Sequence, residues 1–228
     1  MQNLSKRLQM VFRSVPEASL VADIGTDHAF LPIALIKSGV AKKVIACDIA
    51  EGPLNVAAKN VKKSGVEGIE LRLSDGLAAV SENEVNVVTV AGMGGDLISR
   101  ILTAAPWVKN PEKRLVLQAM TSADSLRDYL YAEGFRIITE LAVTDAGRVY
   151  SVITAEYDGI CRVPSEAERL IGGLINDPSN DATKYITIQL KRISDCAESL
   201  KTVERKAEEY KFAIAARDQL FEILKTRK

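Results

Sequence analysis

Seven short apolar runs punctuate the chain, and the spacing between them limits the available folds more than any other feature. They are Ser19 to Ile24, Lys43 to Asp48, Ile69 to Ser74, Val85 to Ala91, Arg114 to Ala119, Arg136 to Val143 and Tyr150 to Tyr157. The first five are separated by stretches of helical length, and that strand-helix-strand rhythm builds a parallel sheet with helices on its faces. The last two are separated only by Thr144 to Val149, which carries Asp-Ala-Gly and leaves no room for a helix. They read as an antiparallel hairpin. A short amphipathic helix with apolar Leu4, Leu8, Val11 and Phe12 precedes the first strand.

The pattern changes after about Cys161. From Asp181 to Lys228 there is neither Gly nor Pro, and Ile186, Ile193, Ala197, Leu200, Val203, Ala207, Ile214 and Leu220 recur at helical intervals among charges. This stretch reads as a helical hairpin or one long helix. It holds eleven Lys and Arg against eight Asp and Glu, while the preceding residues carry a small negative excess. Two uses remain open for such a tail: a solvated coiled-coil face packed on the first domain or on a second copy, or an arm that grips RNA. The expected division is 1–160 and 161–228.

Apolar residues make up 47% of the 228 positions and charged residues 26%, with 30 basic and 30 acidic side chains, so overall charge points to no partner. No apolar run approaches the roughly 20 residues of a membrane span, and none follows the basic start as a signal peptide would. A cytoplasmic protein is expected. Cys47, Cys161 and Cys196 are odd in number and widely spaced, which reads as reduced, structural thiols rather than disulfides or a metal site. With one histidine, His28, a multi-histidine metal centre is ruled out.

The densest local signal is Val21-Ala-Asp-Ile-Gly-Thr-Asp-His-Ala-Phe-Leu-Pro32, a strand ending at Asp23 and Gly25 and then a turn into a helix. In an open α/β sheet, ligands bind beyond the carboxyl ends of the strands, and Gly25 allows close backbone approach. A dinucleotide loop would add two further glycines. Here Asp27 and Ala29 follow instead, and the charge of Asp27 would repel a pyrophosphate. A ligand with a cationic amino-acid moiety suits Asp23 and Asp27 better. Asp48 ends the second strand, at the distance where an acidic side chain meets ribose hydroxyls. Ser74-Asp75-Gly76 follows the third strand. Ala91-Gly92-Met93-Gly94-Gly95 closes the fourth, and its glycines imply a backbone closely approached by something.

The run ADIGTDHAFLP, the CDI strand end, SDGL, AGMGG and the Leu-Gln segment that follows resemble the bacterial tRNA (adenine(22)-N1)-methyltransferase family. The resemblance spans essentially the whole chain and is strongest over residues 4–150. It implies an α/β fold of the Rossmann-like class I methyltransferase type, a parallel sheet with a terminal antiparallel hairpin, plus a C-terminal α-helical coiled-coil domain. It also implies S-adenosyl-L-methionine as cofactor and tRNA as partner. Cofactor contacts would fall on Asp23, Gly25, Asp27 and His28, on Asp48 and Ile49, on Asp75 and Gly76, and on Ala91, Gly92, Met93 and Gly94. Relatives often have Glu where this chain has Asp48, and Leu-Gln-Pro where it reads Leu117-Gln118-Ala119-Met120, a loop near the target base.

The reaction implied is in-line methyl transfer to N1 of adenine 22, extruded from its helix, where positioning does most of the work. The chain has no Asn/Asp-Pro-Pro-Tyr run of the kind that grips exocyclic amines, which favours the ring nitrogen. Asp27 is expected to stabilise the positive charge developing on the base or to accept from its amine. His28 would orient cofactor or base, or else simply pack beneath the loop. Lys6, Arg7 and Arg13, on a helix expected near the first strand, would join Lys191, Arg192, Lys201, Arg205 and Lys206 in meeting RNA phosphates. Trp107 and the five Phe are dispersed, so recognition would rest on tRNA shape. Oligomeric state stays open, with a monomer preferred. A methyltransferase of a small molecule or protein, or a non-catalytic cofactor-binding module, would share these features. Asp27 argues against a nicotinamide dehydrogenase, and the lack of a G-x-S-x-G elbow against a hydrolase.

Overall fold

The computed structural model describes residues 4–227, so 1–3 and 228, the outer ends of the two expected domains, lie outside the described residues. Helix α1 (Lys6–Ser14) starts where Ser5 accepts the Leu8 N–H at 3.3 Å and buries Val11 and Phe12. Strands β1 (Ser19–Ile24), β2 (Ala41–Asp48), β3 (Ile69–Leu73), β4 (Val87–Gly94), β5 (Arg114–Thr121), β6 (Phe135–Asp145) and β7 (Arg148–Tyr157) form one sheet in the order β3-β2-β1-β4-β5-β7-β6. The first five run parallel, and β7 inserts antiparallel between β5 and β6. All seven expected strands are present. The β6–β7 hairpin closes through Ala146 and Gly147, both at positive φ (46° and 79°), the two-residue turn whose twist matches antiparallel strands.

Alternation along the central strands sends side chains into two cores. Ala22, Ile45, Val88 and Leu115 face α4 (Gly95–Thr103) and α5 (Ala123–Ala132). Val21, Val44, Val87 and Val116 face α1 and α2 (Phe30–Lys37). The result is a three-layer sandwich, completed by α3 (Glu51–Ser64). Helix α1 lies mainly across β4, β5, β7 and β6, rather than beside the first strand as expected, because Leu4, Val11 and Phe12 share a core with Val116 and Val152.

Helices of ordinary length were expected in all four connections among the first five strands. Only three have one. Between β3 and β4 the chain makes turns and a single 3₁₀ turn (Glu82–Glu84). Gly76 stands at φ +56° and Leu77, Val80 and Val85 tuck into the core, while Arg72 bridges Glu84 at 2.6 Å and the Ala79 carbonyl at 2.6 Å. The segment is fastened at too many points to coil. Burial pushes the Cys47 thiol up to about 11, which suits an inert core residue, but Cys161 and Cys196 are exposed and fill no core.

Beyond β7, a capping box formed by Ser165 and Glu168 starts α6 (Glu166–Ile171). The tail is a hairpin of α7 (Asn180–Leu200) and α8 (Ala207–Thr226), joined by a six-residue connection and packed through Ile186, Ile193 and Ala197 against Ala213, Ala216 and Leu220. It leans on the free side of β6, where Asp177 accepts the Ala142 N–H at 2.8 Å and Asp181 accepts the Thr144 N–H at 2.9 Å. An otherwise open sheet edge is thereby covered. Among the described residues no helix is long and apolar enough to cross a membrane.

Candidate active site

The carboxyl ends of β1, β2 and β4 converge on one loop system. Past Ile24 the chain turns across the end of β2, and the Gly25 and Thr26 N–H groups both donate to the Cys47 carbonyl at 2.9 Å. Gly25 (φ +74°) lies against Met93, whose methyl would collide with any Cβ placed there. Asp27 and Ala29 hold left-handed φ values of 51° and 57°. Each such residue costs roughly 1–2 kcal/mol, strain that accumulates where function requires a fixed shape. Asp48 braces the loop, its two carboxylate oxygens accepting the Asp27 N–H at 3.2 Å and the Ala50 N–H at 3.1 Å. Asn60 reaches up from α3 to the His28 carbonyl at 3.0 Å.

Asp23 is 5% exposed and accepts the Thr89 hydroxyl at 2.7 Å. Burial holds its pKa above the usual carboxylate range despite that hydrogen bond, and it has no ion pair among the described residues. Asp27 is exposed and His28 half-exposed, with Nε2 of His28 3.5 Å from Oδ2 of Asp27. The imidazole leans on Phe30 with ring centroids 5.4 Å apart. At the ends of β2 and β3, Ile49 (69% exposed) and Leu73 (54%) present apolar surface beside exposed Asp75, and Gly76 packs on Ile101.

The fourth-strand loop is held from below. β4 bulges between Ala91 and Met93, with Gly92 at φ +86°. The Gly92 N–H donates at 3.1 Å to Oε1 of Gln118, a fully buried side chain on β5. Arg7 donates through Nη1 to the same oxygen at 2.5 Å. Gly94 packs on Thr121, and Gly95 lies so close to the Ser122 carbonyl that only glycine fits.

Asp23, Gly25, Asp27, His28, Ala91 and Gly92 line one cavity of about 220 Å³, together with Arg7. Met93 supports it from beneath Gly25. Asp48, Ile49, Asp75 and Gly76 stand at neighbouring strand ends outside that cavity's wall. Of the side chains expected to meet phosphate, Lys6, Arg13, Lys191 and Arg205 are exposed. Arg192 borders a second cavity, about 410 Å³, between the ends of β5 and β7 and helix α7. Lys201 and Lys206 lie near Glu198 (3.6 Å) and Glu209 (2.8 Å). Arg7 departs from expectation, since its guanidinium turns inward to Gln118 and over the Tyr150 ring at 6.0 Å. Gln118 was expected only as part of a loop near the target base, with no role of its own; it stands instead within β5, fully buried. A lone amide within the run Leu-Val-Leu-Gln-Ala-Met was the available signal, because a buried amide must find partners. Among the described residues no group of three His, Cys, Asp or Glu could hold a metal ion.

Residues 4–153 match the family described as a methyltransferase domain. The tRNA (adenine(22)-N(1))-methyltransferase of Bacillus subtilis is 39% identical over 165 residues, 69% of this chain and 69% of its own. Among solved structures, the Bacillus subtilis M1A22 tRNA methyltransferase superposes with a TM-score of 0.85 at 32% identity, over 98% of this chain and 100% of that one. A Streptococcus pneumoniae putative tRNA (m1A22) methyltransferase in complex with S-adenosyl-L-methionine gives 0.78 at 34% identity, over 97% and 99%.

Proposed function

The chain belongs to the tRNA (adenine(22)-N1)-methyltransferase family, and from that premise we infer that it methylates N1 of adenine 22 in tRNA with S-adenosyl-L-methionine as donor. One observation carries the reading to the residues: Asp23, Gly25, Asp27, His28, Ala91 and Gly92 surround a single cavity at the ends of β1 and β4. When bound, the cofactor supplies an electrophilic methyl on a sulfonium. Its ammonium fits Asp23, a buried carboxylate lacking a cationic partner among the described residues. Gly25 and Gly92 leave room for the close approach of a ligand.

The remaining assignments follow from side-chain chemistry. Asp48 keeps two of about four lone-pair positions free for ribose hydroxyls after its two backbone bonds. Ile49 and Leu73 offer apolar surface to the adenine faces, and Asp75 accepts from the adenine amine next to Gly76. Ala91 to Gly94 form the rigid wall beside the methyl group. N1 of adenine is unprotonated near neutral pH, so alignment and exclusion of water matter more than a strong base. Asp27, held at the rim, stabilises the positive charge that develops on the base, and His28, braced by Phe30 and Asn60, orients it.

The proposed units are a catalytic domain of 1–160 and a coiled-coil domain of 161–228, supported by an apolar cluster drawn mainly from α6, α7 and α8, which Ala142 of β6 also joins. Lys6 and Arg13, together with Lys191, Arg192, Lys201, Arg205 and Lys206, contact tRNA phosphates. A cytoplasmic location is part of the same proposal, with the oligomeric state open and a monomer preferred.

The test is transfer of labelled methyl from S-adenosyl-L-methionine to unmodified tRNA, with Asp27→Ala and a transcript carrying guanine at position 22 as comparisons. Label should fall with either change. No label on any tRNA despite cofactor binding would favour a small-molecule or protein substrate, or loss of turnover.

A further inference from the structure

The second cavity, about 410 Å³, has no part in the reaction as described. It shares no lining residue with the cofactor cavity but lies alongside the loop that closes β4. Thr121, on its wall, packs on Gly94, and the Ser122 carbonyl presses on Gly95. The guanidinium of Arg7, which lines the cofactor cavity, stands over the ring of Tyr150, which lines the second, at 6.0 Å. The opposite wall is α7, which contributes Ile188, Gln189 and Arg192. Catalytic sheet and helical tail therefore build this cavity together.

Among the described residues, the Arg192 guanidinium, the Gln189 amide, the Asp124 carboxylate and the Tyr150 hydroxyl make no hydrogen bond or ion pair with the rest of the fold. Their chemistry is mixed: one cation, one anion, an amide that donates and accepts, and a hydroxyl. Met120 and Ile188, 38% and 43% exposed, add apolar surface. A site for a bare anion would gather cations, and a groove for an apolar segment would not collect free polar groups. A nucleotide matches what these walls offer, with a flat apolar face, a base edge of donors and acceptors, and one phosphate. The volume suits a ligand of that size. Extruding adenine 22 strips its neighbour of a stacking partner, and the RNA backbone carries that neighbour one step from the methyl-transfer loop, which this cavity flanks. We propose that the cavity takes the nucleotide next in the strand to the methylated adenine, with Arg192 on its phosphate and Gln189 and Asp124 on its base edge, so that this second contact sets the register of methylation. The proposal rests on the tRNA methyltransferase reading. It also separates Arg192 from Lys191, which is exposed one residue away and lines no part of the cavity.

A double-mutant cycle between protein and RNA, read as binding of tRNA transcripts, tests this. The transcripts carry an abasic site on one or the other side of adenine 22. The protein variants are Arg192→Ala and Ile188→Phe, the second filling the cavity from an exposed position without removing a charge. For one of the two flanking positions, loss of the base should weaken binding to the wild type about tenfold or more, the worth of a held base. The same loss should change binding to Ile188→Phe by less than about threefold, because that variant no longer admits the base. Arg192→Ala should weaken binding of the intact transcript about tenfold or more while S-adenosyl-L-methionine affinity stays within about threefold of wild type. Penalties that simply add at both flanking positions would overturn the proposal. So would abasic transcripts that bind the wild type as tightly as the intact one. Binding is read apart from turnover, so a wild type that shows the coupling yet methylates no tRNA would uphold the cavity's occupant and defeat the methylation reading alone.

Discussion

Arg127 and Glu140 form an ion pair at 2.6 Å in which neither side chain has any solvent exposure. Arg127 comes from α5 and Glu140 from β6, and both reach into the helical segment: the guanidinium donates to the Leu170 carbonyl at 2.8 Å and the Tyr185 hydroxyl at 3.3 Å, while Glu140 accepts the Gly173 N–H at 3.0 Å. Burial alone would depress the guanidinium pKa. Glu140 and Tyr185 more than offset that, and the net shift is upward, so the guanidinium stays charged.

Breaking this joint from one side leaves an uncompensated charge in the interior. Glu140→Ala should therefore lower stability by about 3–5 kcal/mol in urea unfolding, whereas Arg127→Met with Glu140→Leu should cost much less than the two single changes combined. Additive losses would mean the two side chains act separately.

Asp23 makes stability and binding pull in opposite directions. Its folded pKa is raised by burial, so the folded state binds the proton more tightly than the unfolded chain, and stability falls as pH rises from about 4 through the raised value. Asp23→Asn keeps an oxygen to accept the Thr89 hydroxyl and removes the buried charge. Ligand-free Asp23→Asn should melt higher than wild type at pH 7–8, the gain shrinking as pH approaches 4, yet bind S-adenosyl-L-methionine at least tenfold more weakly. A melting gain that persists unchanged at pH 4 would contradict the electrostatic cause.

How much of this was readable beforehand depends on whether a residue's role is set locally. Ser19–Ile24 was placed residue for residue because an apolar run of strand length, too short for an ordinary helix and bounded by Gly25, marks a buried strand, and the strand-end motifs were visible for the same reason. Arg127 and Glu140 carry no such mark. Each resembles a solvated charge on a helix or strand, and only the packing of 169–173 and Tyr185 over them makes them interior. The missing helix between β3 and β4 depended on Arg72 finding Glu84, and Arg7 depended on where α1 crosses the sheet. Pairings of that kind are decided in three dimensions.

Gln118 joins α1 to the bulge of β4 through one atom, its Oε1 accepting both the Gly92 N–H and Arg7. Gln118→Leu fills similar space but leaves the Gly92 donor without that acceptor. Turnover should fall about 10- to 100-fold with the melting temperature nearly unchanged, as expected when a positioned loop loosens. Retained turnover with a lowered melting temperature would assign Gln118 to the core instead.

Gly25 separates shape from strain. A methyl there meets Met93, and φ +74° disfavours any L side chain independently of that contact. Gly25→Ala should weaken S-adenosylhomocysteine binding by about tenfold or more, and adding Met93→Ala should recover part of the loss by clearing the collision while the backbone strain of roughly 1–2 kcal/mol persists. Calorimetry on the single and double variants gives both quantities: the recovered fraction measures the contact between the β1 and β4 loops, and the residue measures the left-handed turn. Full recovery would show that the turn tolerates alanine and that Met93 alone demands glycine. No recovery would put the whole requirement on the backbone, leaving Met93 free to vary.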